Sequence, residues 1–285
     1  MSIKKWQYTD RVRSIIRLAE KERVLTRCQL LNPFHLLLGS VNERSGALAE
    51  VFLACDFNLD NLRTGSKLLD DISEKSSNDY ELGVLITKEV ERIFGKAVQY
   101  MKRYQQIFLN EGHLLKALIT SGLVDNYLNE ESRSIIVRNL STPRDMITSL
   151  REYQFPDNHF KNIKRLTAKN YDHLYDFINE NFAKDWLNTY QKAIKAGKTT
   201  IYIACNDDDK IIGFAAYDIV RTKKGLFGPM GVSKKNRTLG VGSSLLHHCL
   251  KDMKEIGYEY AIIGEAGPQE FYEKTCNARL IPFDY

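Results

Sequence analysis

The sequence contains no apolar run near the roughly 18 residues needed to span a bilayer; nearly apolar stretches such as Leu36–Leu38 and Ile201–Ala204 fall far short of it. No membrane span is expected. Lys4 and Lys5 are followed by Arg, Asp and Glu rather than by an apolar segment with a small-residue cleavage site, so no export signal is expected. The 5 cysteines, Cys28, Cys55, Cys205, Cys249 and Cys276, are odd in number, include no CxxC pair and sit among apolar neighbours. They read as small buried hydrophobes, without a disulfide framework or a metal site, and point to a reducing cytoplasm. With 6 Pro and 17 Gly the chain is neither collagenous nor low-complexity. The excess of 41 Lys and Arg over 36 Asp and Glu suits anionic small molecules and is too mild to argue for a nucleic-acid groove.

What is present is a globular composition, 43% hydrophobic and 27% charged over 285 residues. At roughly 150 residues per domain this predicts two domains. From about Tyr8 to Asn139 the apolar residues recur at helical spacing, as in Val12, Ile15, Ile16 and Ala19. Ser141 to Asn162 holds Pro143 and Pro156 and lacks an apolar face, which places a linker over residues 146–160 between a helical domain (1–145) and a second domain (161–285). Beyond it, Ile163 to Leu166 reads as a strand, two helices follow, and Thr199–Cys205 with Ile211–Val220 reads as a hairpin. The expected fold class is an all-α domain followed by an α/β domain.

The helical half repeats itself. Thr9, Val12, Ile15, Ala19 and His35 recur at an offset of 78 as Thr87, Val90, Ile93, Ala97 and His113, which gives repeats over about 6–75 and 84–140, each of about four helices, with the threonines as N-caps. His35 and His113 read as helix-cap or core histidines. The segments Asn32-Pro33-Phe34-His35-Leu36-Leu37 and Asn110-Glu111-Gly112-His113-Leu114-Leu115 resemble the G-T-E-H-(L/I)-L-L pattern of the duplicated N-terminal domain of Clp-type chaperones. The resemblance implies a docking module for a Clp-type chaperone, an adaptor or a client protein. The family's phosphoarginine-binding glutamate is replaced by Phe34 and Gly112, so that activity does not carry over, and no G-x-x-x-x-G-K-(S/T) nucleotide motif occurs.

In the second half Leu226–Val232 reads as a strand, Ser233 to Asn236 as a polar turn, and Arg237-Thr238-Leu239-Gly240-Val241-Gly242 opens a helix that Gly257 stops. Free amides at a glycine-rich helix start favour an anion. Arg-x-x-Gly-x-Gly resembles the coenzyme A signature of the GNAT superfamily of N-acetyltransferases, and the order strand, two helices, hairpin, strand, long helix, strand, short helix extends the resemblance over about 161–282. It implies an α/β domain with a mixed, splayed central sheet, acetyl-coenzyme A as cofactor, and a pyrophosphate held by backbone amides of Arg237, Thr238, Leu239, Gly240, Val241, Gly242 and Ser243. Met230, Gly231 and Val232, around Pro229, would border the splay, with Val232 pairing to the pantetheine arm.

Phe271-Tyr272-Glu273-Lys274 resembles the superfamily's segment carrying the general acid, which makes Tyr272 the acid that protonates the leaving thiolate. Glu265 is the first choice of base and Asp218 the second; His247 and His248 are expected to be exposed or edge residues. After Tyr272 the family writes a hairpin of two strands, whereas at most one further strand fits before Tyr285. Either a second copy donates the strand, which would make a homodimer, or the acceptor side is open. The expected function is acetyl transfer to a primary amine of a small molecule or protein; the alternative is a non-catalytic adaptor. A dinucleotide fingerprint built on Gly240 and Gly242 fails at Leu245, where a third glycine belongs.

Overall fold

A computed structural model describes residues 6–77, 82–157, 160–221, 224–237 and 239–283. The chain forms two compact units, residues 1–143 with 282–285, and residues 144–281.

The first unit runs β1 (Gln7–Tyr8), α1 (Asp10–Thr26), α2 (Pro33–Glu43), α3 (Ala47–Ala54), α4 (Leu59–Asp70), α5 (Lys88–Arg103), β2 (Phe108–Leu109), α6 (Glu111–Ile119), a 3-10 turn (Asp125–Tyr127) and α7 (Glu130–Ser141). The duplication is visible in its caps. The Thr9 hydroxyl accepts from the Val12 N–H at 3.3 Å and the Thr87 hydroxyl from the Val90 N–H at 3.4 Å. It is visible again in the pairing. β1, which leads into α1, pairs in parallel with β2, which leads into α6, and Leu31, before α2, bridges in parallel to Ile86, before α5. Each copy thus hands its lead-in segments to the other in a reciprocal, two-fold manner. Gly39 lets α2 lie close on α1, since a Cβ there would stand 2.5 Å from the Ile15 carbonyl oxygen. In the second copy a 3-10 turn stands among three α-helices, where about four helices were expected.

The second unit runs β3 (Arg144–Ser149), β4 (Ile163–Arg165), a 3-10 turn, α8 (Tyr171–Asn181), α9 (Lys184–Lys195), β5 (Ile201–Cys205), β6 (Ile211–Tyr217), β7 (Leu226–Val232), a 3-10 turn, α10 (Val241–Glu255), β8 (Tyr260–Ala266), α11 (Gln269–Cys276) and β9 (Arg279–Leu280). The sheet order is β4-β5-β6-β7-β8-β3-β9, with β7 and β8 parallel and the other neighbours antiparallel. It is therefore a mixed sheet within an α/β unit. Strand β5 is buried on both faces: Ile201, Ile203 and Cys205 pack with α8 and α9, whereas Tyr202 and Ala204 join the cluster of α10 and α11. A continuous apolar strand is what such double burial requires.

The segment expected as a linker begins instead with β3, which lies inside the sheet between β8 and β9. Its inward positions are Arg144, Met146 and Thr148, all buried. The Arg144 guanidinium donates to the Ile281 carbonyl oxygen at 2.7 Å and the Thr148 hydroxyl donates to that of Cys276. Polar side chains bonded to main chain occupy two of three core-facing positions, so the apolar alternation that announces a strand is missing. β3 also fills the place for which either a strand from a second copy or an open acceptor side was expected; the same chain supplies it from upstream. In α10 the inner face is Val241, Leu245, Leu246, Cys249, Leu250 and Met253 as expected, but Ile256 lies past the helix end and is exposed, and His247 is buried rather than at an edge. His247 Nδ1 shares a 2.8 Å hydrogen bond with the Tyr153 hydroxyl, which pins the segment after β3 onto α10.

Candidate active site

The site is built on the start of α10. Gly240 is its N-cap, with φ 76, a conformation that strains any residue with a Cβ. The first helical bond is from the Ser244 N–H to the Gly240 carbonyl oxygen at 3.0 Å, so the amides of Val241, Gly242 and Ser243 have no acceptor within the helix, and no side chain caps them. Gly240 and Leu239 are exposed, and Gly242 and Ser243 partly so. Arg237 is half-buried and its Nε donates to the Val232 carbonyl oxygen at 3.1 Å, folding the basic turn back on the end of β7; burial lowers its pKa. Thr238 lies outside the described residues.

Beside this helix start the sheet comes apart. β7 pairs with β8 only at Leu226↔Ile262 and Phe227↔Ile263, whereas on its other edge it keeps β6 through Met230, Gly231 and Val232. Residues 228–232 thus have no strand partner on the β8 side, and Pro229 has no N–H to give one. The helix start adjoins that free stretch: a side chain at Gly242 would meet Val232 Cγ2 at 3.6 Å, Phe271 Cζ at 3.8 Å and Met230 Cε at 3.9 Å. A free strand edge that offers main-chain groups, next to an open helix N-terminus, fits an extended amide-containing arm that ends in a phosphate anion.

Tyr272 stands near the point of divergence. It is buried in α11, its ring edge-on to Phe271 at 4.9 Å and to Phe227 at 6.4 Å, and Phe227 is the last residue of β7 paired with β8. Burial raises its phenol pKa well above the ordinary value, so it is protonated throughout the physiological range. Glu265 lies at the irregularity where β8 shifts register against β3, with φ 51. Its N–H donates to Asp145 Oδ1 at 2.8 Å, and its exposed carboxylate is paired with Arg221, which also donates to Asp145 Oδ2 at 2.9 Å. Asp218 is committed to the fold: its carboxylate accepts from the Gly225 and Leu226 N–H groups at 2.7 and 3.3 Å and from the Tyr258 hydroxyl at 2.6 Å.

Four aromatic residues of the site region carry no motif and were missed in the sequence. Tyr190 is buried and donates its hydroxyl to the Pro229 carbonyl oxygen at 2.8 Å, tethering the free half of β7 to α9. Phe182, Trp186 and Phe214 cluster beside it. The only signal was the density of aromatics at the junction of the two predicted helices.

In the helical unit, His35 and His113 are N3 residues of capping boxes. Nδ1 of His35 accepts from the Asn32 N–H at 3.0 Å and Nδ1 of His113 from that of Asn110 at 3.2 Å. The residues before them face inward. Phe34 is buried against Tyr127, and a Cβ at Gly112 would fall 2.1 Å from the Leu140 carbonyl oxygen, which leaves no room for a glutamate. Among the described residues no helix is long and apolar enough to cross a membrane.

Residues 7–131 match the family model of the Clp repeat (R) N-terminal domain, and residues 169–277 match that of the acetyltransferase (GNAT) family. No curated protein matches the chain. Among solved structures it is similar to the GCN5-related glucosamine N-acetyltransferase region of a fungal multi-domain beta-N-acetylglucosaminidase (19% identity, 48% of this chain, 19% of that one, TM-score 0.42). It is also similar to the N-terminal domain of the caseinolytic protease associated chaperone ClpD of Arabidopsis thaliana (17% identity, 49% of this chain, 88% of that one, TM-score 0.32). A third is the N-acetyltransferase YhbS of Escherichia coli in complex with CoA (18% identity, 37% of this chain, 63% of that one, TM-score 0.31). The chain thus spans less than a fifth of the fungal protein.

Proposed function

We propose that this chain, which joins a Clp repeat N-terminal domain to a GNAT acetyltransferase domain, transfers an acetyl group from acetyl-coenzyme A to a primary amine of a small molecule or protein. The observation that carries this reading is the interrupted β7–β8 ladder beside the uncapped start of α10. Acetyl-coenzyme A supplies the activated thioester. The amides of Arg237, Thr238, Leu239, Gly240, Val241, Gly242 and Ser243 hold the pyrophosphate, and the free edge through Met230, Gly231 and Val232 orients the pantetheine arm. Holding both reactants in line supplies much of the rate. Tyr272 keeps its proton until the sulfur departs and then donates it, a role worth roughly 10²–10⁴-fold. Glu265 takes the amine proton, directly or through water, after exchanging its bond to Arg221. The helical domain is the docking module for a Clp-type chaperone, adaptor or client, without a phosphoarginine site at Phe34 or Gly112.

Thiol release from acetyl-coenzyme A across a panel of amines tests the reading. We expect turnover that Tyr272→Phe lowers by about 100-fold in kcat, within the range for a general acid. No turnover with any amine, or turnover indifferent to Tyr272→Phe, overturns it. The second reading, a non-catalytic adaptor, is favoured by one observation: both candidate bases are engaged, Glu265 with Arg221 and Asp218 with the turn it closes.

A further inference from the structure

We infer that the acceptor is an aromatic amine, received on a platform formed by Phe182 and Trp186; this rests on the acetyltransferase reading above. The two rings lie at the junction of α8 and α9, stacked with centroids 5.2 Å apart and planes only 10° from parallel. Beneath them Phe214 is buried and meets both edge-on, Phe182 at 5.2 Å and Trp186 at 5.9 Å, which fixes the plane of the stack. Phe182 and Trp186 themselves are only partly buried.

Their position relative to the reaction is given by Gly231. A Cβ on Gly231 would stand 2.6 Å from Phe182 Cζ, so the glycine lets the ring close directly on the main chain of β7 within the stretch that lacks a β8 partner. Met230 and Val232, on either side of Gly231, point to the opposite face, where they meet the start of α10. The free edge therefore has the anion-binding helix start on one face and the aromatic stack on the other. Tyr190, through its bond to the Pro229 oxygen, holds the edge against the stack.

Offset or edge-on aromatic contacts add affinity beyond area burial, and a cation over an indole or phenyl face gains a comparable amount. A saturated amine gains only the second. An arylalkyl amine gains both, and its short arm carries the nitrogen toward the edge of β7.

The chain has 2 tryptophans, Trp6 and Trp186, so Trp6→Phe leaves Trp186 as the only indole fluorophore. In that background, with coenzyme A present, 2-phenylethylamine should change Trp186 emission saturably, at concentrations about fivefold or more below those at which butylamine or spermidine does. 2-Phenylethylamine should also be acetylated with a KM about fivefold or more below that of butylamine, and Phe182→Leu should reduce this advantage to less than twofold. Should spermidine or butylamine be preferred while coenzyme A still binds by calorimetry, or should Trp186 emission be unmoved by 2-phenylethylamine, the platform is overturned and the acetyltransferase reading stands. Absence of coenzyme A binding overturns that reading instead.

Discussion

The two units treat the beginnings of their helices in opposite ways. In the helical unit α1, α2, α4, α5, α6 and α7 each start on a side chain that accepts a backbone N–H: Thr9, Asn32, Asn58, Thr87, Asn110 and Asn129. In the α/β unit none of α8, α9, α10 and α11 has a side-chain cap. The exception in the helical unit sharpens the contrast. α3 starts at Gly46, whose φ is positive like that of Gly240, but the space where its side chain would be is taken by the Arg11 guanidinium, 2.6 Å from a Cβ built there. Arg11 is itself buried in an ion pair with Glu111. At Gly240 a Cβ would meet nothing. A glycine at a helix start is thus not a site by itself; the open space beside it and the interrupted ladder of β7 separate α10 from α3.

The most severe way to break the comparison is to remove β3. The strand separates β8 from β9 and brings Met146, Thr148 and the following Leu150 into the interior. A fragment of residues 144–283 should unfold cooperatively. One of residues 161–283, cut where the sequence places the domain start, leaves β8 and β9 without their common neighbour and should be insoluble or melt without a transition. Size-exclusion chromatography and thermal circular dichroism decide; equal melting temperatures for the two fragments would show that β3 is dispensable.

That strand also marks the limit of what the sequence discloses. The duplicated caps, the helix on Val241 to Met253 and the glycine start of α10 are legible because each depends on short-range periodicity or on a local φ. The gap in the sheet is legible through Pro229. β3 is not, because what places it is a set of distant hydrogen bonds from Arg144 and Thr148 to main chain near residues 276–281. The contact of Phe182 with Gly231 is likewise long-range and leaves no pattern in the local sequence.

Acid provides the next test, because the capping boxes of the helical unit depend on neutral imidazoles. Burial lowers the pKa of His35 and of His113 to about 4, against an ordinary 6.5. Nδ1 in each accepts an N–H and cannot carry a proton while it does so. With the folded pKa below the unfolded one, the unfolded chain takes up protons first as pH falls, so stability is complete above 6.5 and is lost progressively toward 4, by up to about 3 kcal/mol per histidine. Urea midpoints of the helical unit's transition at pH 7.5 and 5 should show the drop. His35→Gln with His113→Gln should flatten it, since glutamine serves at N3 of a capping box. In the α/β unit burial also lowers the pKa of His247, so that unit should respond in the same direction.

The smallest effects fall on the caps themselves. Thr87→Ala removes one accepted N–H bond and should cost the helical unit about 1 kcal/mol with no change in coenzyme A affinity. Gly240→Asp does the reverse. A carboxylate at the start of α10 gains roughly 0.3–1 kcal/mol from the helix dipole, offset by about 1 kcal/mol of strain at φ 76, so the melting temperature should scarcely move. The same carboxylate would stand where the proposed site receives the pyrophosphate charge, and repulsion there should lower coenzyme A affinity at least tenfold, less at high salt, where screening weakens it. Calorimetry at two ionic strengths measures this, and unchanged affinity in Gly240→Asp would mean that the open helix start is not where the anion binds.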